Sequence, residues 1–168
     1  VDCYYTNTAA LAFLKELLPI LSLASDTIET SLEYINLILY HLPILLNLAT
    51  VNGLEIFRHF FDGIDEHVSH LKDEKRLAVG RSFGLDLQST LVQLRSYYGD
   101  NGAQTIFEHI HTPECPYREI FDSACQVDTS QDVPYLVANT AMLAHTHDVP
   151  TPLFDACMVL ASPFIESK

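Results

Sequence analysis

Apolar residues recur at three- and four-residue intervals along most of this chain, while strictly alternating runs are nearly missing, a pattern that predicts helices and few strands. Residues 1–6 read as a short strand-like start. Residues 8–21 place Ala9, Leu11, Phe13, Leu14, Leu17 and Leu18 at helical spacing, with Pro19 bending or ending the last turn. A long second helix is predicted over 26–51, with Asp26 or Thr27 as N-cap, Glu29 completing a capping box, and Pro43 kinking or splitting it. Asn52-Gly53 makes a turn, and 54–61 starts a third helix that breaks at Gly63. Residues 64–83 form a charged amphipathic helix with Val68, Leu71, Leu77 and Val79 on its apolar side, stopped by Gly84. The helix over 87–98 ends the same way at Gly99, 104–111 is a short helix, and 112–131 is the least regular stretch. Asp132 reads as an N-cap with Pro134 in the first turn of a helix to about 145. After the break at Asp148-Val149-Pro150, a last helix from Thr151 packs Phe154, Met158, Leu160 and Ala161. The class is all-α.

At 168 residues the chain is one domain by size, and its 48% hydrophobic and 18% charged content is that of a folded globule. It opens on Val1 with no basic, apolar or small-residue segment of a signal peptide, which reads as a truncated chain or an excised domain. A net charge of −13 opposes nucleic acid and anionic lipid as partners. The most apolar run, 35–51, is interrupted by Asn36, His41, Pro43 and Asn47 and is too short to span a bilayer. Four scattered cysteines make no disulfide framework, so reduced thiols in a cytoplasm are expected.

The six glycines lack the Gly-x-Gly-x-x-Gly spacing of a dinucleotide turn, so no cofactor-binding residues are assigned. Asn36, Tyr40 and His41 are polar positions inside an apolar run. His41 reads either as a general acid/base or as a core histidine satisfied by a carbonyl. Asp132 divides likewise between a cap and a catalytic carboxylate. His109, His111 and Cys115, and His145 with His147, lack the matched spacing of a zinc site, and no metal is assigned. Cys125 reads as a small buried hydrophobe. The run Asp73-Glu74-Lys75-Arg76 reads as a solvated helix face.

Several segments together carry a resemblance: Glu29-Thr30-Ser31-Leu32 with Asn36, Phe61-Asp62-Gly63-Ile64, Asp73-Glu74-Lys75-Arg76-Leu77-Ala78, Tyr97-Tyr98-Gly99, Asp132-Val133-Pro134-Tyr135 and Val149-Pro150-Thr151-Pro152. In this order they are similar to the helical C-terminal domain of the octopine/nopaline (opine) dehydrogenases, over about 11–164. The resemblance implies a multi-helix substrate-binding and dimerising domain of the opine and 6-phosphogluconate dehydrogenase-like kind, occupying residues 1–168 and lacking its N-terminal Rossmann domain. It implies an oxidoreductase that condenses a 2-keto acid such as pyruvate with an amino acid and reduces the imine with NAD or NADP. Its partners would be that Rossmann domain, the two small molecules and a second copy of the chain, and the domain alone would be inactive. His41 and Asp132 would form the catalytic dyad, with Asn36, Tyr40 and Arg118 as substrate-binding groups.

Two departures bear on that reading. In the family pattern the histidine stands four residues after the asparagine and directly before proline, whereas here the order is Asn36, Tyr40, His41, Leu42, Pro43. One extra residue absorbed as a π-bulge restores His41 to the site; otherwise Tyr40 shares the face of Asn36 and takes its place. The arginine many members carry about five residues before the aspartate is Val127 here, which leaves carboxylate recognition altered, lost, or provided by Arg118. The alternative function is a helical interaction module that keeps the fold without catalysis.

Overall fold

The computed structural model describes residues 2–3, 8–18, 22–39, 63–113, 115–116 and 133–165. The chain opens with a two-residue strand, β1 (Asp2–Cys3), then α1 (Thr8–Leu17) and β2 (Ser22–Leu23). The strands pair in parallel, Asp2 with Ser22 and Cys3 with Leu23. A strand pair this short leaves no period-two signature, which is why only its first half was expected. Helices account for the other regular elements among the described residues: α2 (Thr27–Leu32), α3 (Asn36–Leu39), α4 (Gly63–Ser82), α5 (Thr90–Tyr98), α6 (Ile106–Ile110), α7 (Ala138–Thr146) and α8 (Pro152–Ile165). A π-helical turn, Val133–Val137, leads directly into α7.

The caps follow from local chemistry. Asp26 accepts the Glu29 N–H (2.8 Å) and starts α2, and the Glu29 carboxylate reaches back to the Ser25 N–H, a capping box displaced by one residue. Ser89 and Thr105 cap α5 and α6 through the N–H groups of Val92 and Glu108. Ser89 explains why α5 begins at Thr90 and not at 87. Gly84 and Gly99 end α4 and α5 with φ of 78° and 92°, where a Cβ would be strained.

The predicted helix over 26–51 is corrected. It breaks at residues 33–35, ahead of Pro43, where polar side chains from other helices hold the carbonyls: Arg76 Nη1 donates to Leu32 O (2.9 Å) and Gln93 Nε2 to Glu33 O (3.2 Å). Pro43 itself lies outside the described residues, as do the segments 54–61 and 117–131.

The main core gathers Leu37, Ile38 and Leu39 of α3, Leu94, Ile106, Ile110, Val137 of the π turn, and Phe154, Cys157 and Ala161 of α8. A smaller cluster joins Leu32, Val79 and Ala144 under Phe83 and Leu87. Among the described residues no helix is long and apolar enough to cross a membrane.

Candidate functional site

The buried side of α4 is polar. Ser69, Lys72, Asp73, Arg76, Val79 and Gly80 recur at helical spacing and are all buried, Lys72 at 0%, Arg76 at 1% and Asp73 at 5% exposure. The expectation that Asp73-Glu74-Lys75-Arg76 forms a solvated face therefore holds for Glu74 and fails for Asp73 and Arg76. Each buried charge has partners, which is the condition for burying it at all. Arg76 Nε and Nη2 donate to Asp73 Oδ1 at 2.9 and 2.8 Å. Thr90, the first residue of α5, adds its N–H to Oδ2 (2.9 Å) and its hydroxyl to Oδ1 (2.8 Å). The same guanidinium reaches the Leu32 and Gln88 carbonyls. One ion pair thus ties α4, α5 and the end of α2 together.

One turn before Arg76, Lys72 Nζ donates to the Leu37 carbonyl in α3 (2.7 Å) and stands 5.4 Å from the centre of the Phe154 ring in α8. Burial pulls its pKa from the ordinary 10.5 to about 8, against a smaller upward pull from Cys157. Burial likewise pushes the Cys157 thiol up, with Lys72 pulling the other way. Sequence reasoning missed Lys72, although its spacing from Val68 and Val79 puts it on their stripe.

Of the residues singled out from the sequence, Asn36 begins α3, one residue ahead of the Leu37 carbonyl held by Lys72. Tyr40, His41, Arg118 and Asp132 lie outside the described residues, as does Cys125. What the structure does bring together is the pair of flanking elements. Leu37, Ile38 and Leu39, just before Tyr40 and His41, belong to the same core as Val137 of the π turn that follows Asp132.

The histidines near Cys115 have other work. His109 is buried and donates from Nδ1 to Asn101 Oδ1 (3.1 Å), and burial and then the Arg95 guanidinium lower its pKa. His111 donates to the Phe107 carbonyl (2.8 Å) and stacks on the Phe107 ring. His147 donates to the Ser82 carbonyl (2.9 Å) and stacks on Phe83, while His145 lies 3.5 Å from the Asp155 carboxylate. Among the described residues no three His, Cys, Asp or Glu converge as metal ligands.

Hollows among the described residues include two on the surface. One, of about 450 Å³, lies between α4, α5 and α6 and is walled by Glu66, His67, His70, Glu74, Ser89 and Thr105 among others. The other, of about 520 Å³, is a shallow apolar groove between α7 and α8 along Ala138, Ala141, Met142 and Met158. Gly84 and Gly99 end helices, Gly102 turns a loop, and Gly80 faces Leu87. The stretch from β1 to α1 is Tyr4-Tyr5-Thr6-Asn7, without glycine.

Residues 23–165 match the family model described as NAD/NADP octopine/nopaline dehydrogenase, alpha-helical domain. The chain is also 29% identical over 164 residues to the opine dehydrogenase of Arthrobacter sp. (strain 1C), a match covering 94% of this chain and 45% of that protein. It thus spans just under half the length of the curated relative it matches. With the family's helical model running from β2 through α8, the chain belongs to the NAD/NADP octopine/nopaline dehydrogenase family, as its α-helical domain.

Proposed function

We propose that this chain is the substrate half of an NAD(P)-dependent opine dehydrogenase, which condenses a 2-keto acid such as pyruvate with the amino group of an amino acid and reduces the product. The observation that carries this reading is the family match from 23 to 165, which takes in every segment that would build the site. The shared core of α3 and the π turn supports it, because those elements flank the two residues that would form the dyad. His41 exchanges a proton with the reacting carbonyl or imine, and Asp132 holds the imidazole in the productive tautomer. Asn36 and Tyr40 hold polar groups of the substrate, and Arg118 takes a substrate carboxylate. NAD or NADP sits on a separate dinucleotide-binding domain, and the assembled enzyme is a cytoplasmic homodimer. The nucleotide supplies the hydride when bound; the residues of this chain bind and orient the two condensing molecules and move the proton.

The test is a nucleotide-oxidation assay on the protein together with its dinucleotide-binding domain, across keto acid and amino acid pairs. Wild-type protein should oxidise NADH or NADPH only when both substrates are present, and His41→Ala should lower kcat by at least about a hundredfold. No oxidation with any pair would leave the helical interaction module as the reading. Full activity in His41→Ala with loss in Tyr40→Phe would hand the proton-transfer role to Tyr40.

A further inference from the structure

The backbone that leads into Asn36 and α3 is held by buried polar side chains: the Leu32 carbonyl by Arg76, the Glu33 carbonyl by Gln93 and the Leu37 carbonyl by Lys72. The last is the costly one. A fully buried ammonium gives up its water, and a methionine would fill the same space against Phe154 without that penalty. The lysine therefore does something packing does not require. Lys72 reaches the Leu37 carbonyl from α4, 35 positions further along the chain.

We propose that Lys72 is a positioning residue for substrate turnover: by donating to the Leu37 carbonyl it sets the place and register of α3, and with it the position of Asn36 at its start. This rests on the reading of Asn36 as a site residue. Lys72 touches no substrate; it acts through the helix it holds.

The experiment compares Lys72→Met, which keeps the volume and removes the donor, with Lys72→Gln, which keeps an N–H donor on a shorter stem. In the enzyme assay Lys72→Met should lower kcat by about tenfold or more with the KM for nucleotide and the melting temperature not reduced, and Lys72→Gln should recover most of the loss. A Lys72→Met protein within about twofold of wild-type kcat overturns the proposal. So does a Lys72→Gln protein as impaired as Lys72→Met, which would leave packing alone as the role. The second readout needs no turnover. In NMR spectra of the same protein, the Leu37 carbonyl and the Asn36 side-chain amide should shift in Lys72→Met and move back toward wild type in Lys72→Gln. An unmoved Asn36 amide overturns the proposal whether or not the protein is a reductase. An inactive wild-type protein whose Asn36 amide does move supports the positioning role and refutes only the opine reading. If Lys72→Met does not fold, Lys72→Gln against wild type carries both readouts: near-normal kcat and Asn36 shifts support the proposal, and a loss like that expected of Lys72→Met overturns it.

Discussion

Asp73 accepts four hydrogen bonds among the described residues, two from Arg76 and two from Thr90, and is itself buried. Removing the carboxylate leaves the guanidinium buried without its counter-charge and two Thr90 donors without an acceptor. Asp73→Ala should cost about 3–5 kcal/mol by chemical denaturation, whereas the paired replacement Asp73→Leu with Arg76→Met should cost clearly less, since it removes both desolvation penalties. Equal losses in the two proteins would show that packing, and not the stranded charge, sets the cost. Lys72 gives a pH signature of definite sign. Its folded pKa of about 8 lies below the ordinary 10.5, so between those values the unfolded chain binds the extra proton and stability rises with pH. The rise amounts to on the order of 3 kcal/mol in full and is absent below pH 8, where the amine is charged in both states. Cys157 works the other way above pH 9, because burial keeps its thiol protonated in the fold. The stability of wild type minus that of Lys72→Met, measured from pH 7 to 10.5, should therefore climb with pH. A flat difference would mean that Lys72 keeps its ordinary pKa.

Among the elements, α4 organises the rest. Its buried stripe reaches α2 and α3 through Arg76 and Lys72, α5 through Asp73, and the loop after its own end through Gly80. A Cβ at Gly80 would overlap Leu87 Cδ1 and stand 2.7 Å from its Cγ, too close for the Leu87 side chain to stay. Helix propensity alone favours Gly80→Ala by roughly 1 kcal/mol, but forcing Leu87 out of the smaller core should make the change destabilising by about 1–3 kcal/mol. A stabilised Gly80→Ala protein would mean that Leu87 repacks freely. The break between α2 and α3 belongs to the same scale. A continuous helix would use the Leu32 and Glu33 carbonyls internally; here they accept from Arg76 and Gln93 where the chain turns, and α3 starts anew at Asn36.

For the whole molecule, the exposed apolar surface is the informative quantity. Phe13 and Leu17 on α1 are each 59% exposed, Tyr135 on the π turn 69% and Val159 on α8 72%. A parallel strand pair of two residues each is also too small to be stable by itself. Both features suit a surface that other protein covers. The 168-residue chain purified alone should therefore scatter light as more than one copy and bind a hydrophobic dye. A dye-silent monomer would argue against a covered face, and with it against the proposed homodimer.

The helical class was legible because helix-forming periodicity and punctuation are local: Asp26 caps α2, Gly84 and Gly99 stop α4 and α5, and Asp148-Val149-Pro150 separates α7 from α8, all at or near the places the residues predict. The family too was legible: segments that resemble it run in order along the chain, and its helical model matches residues 23–165. The burial of Lys72, Asp73 and Arg76 was not. In sequence these are charges on an amphipathic helix, and charge ordinarily marks the solvated side. Only the tertiary structure brings Thr90, the Leu32 and Leu37 carbonyls and Phe154 from distant segments to compensate them. The contacts at the break after Leu32 have the same origin, because the side chains that hold its carbonyls come from helices 44 and 60 positions further along the chain. Local chemistry decides where a helix can begin and end, whereas the partners that allow a charge to be buried are long-range, and no window of sequence contains them.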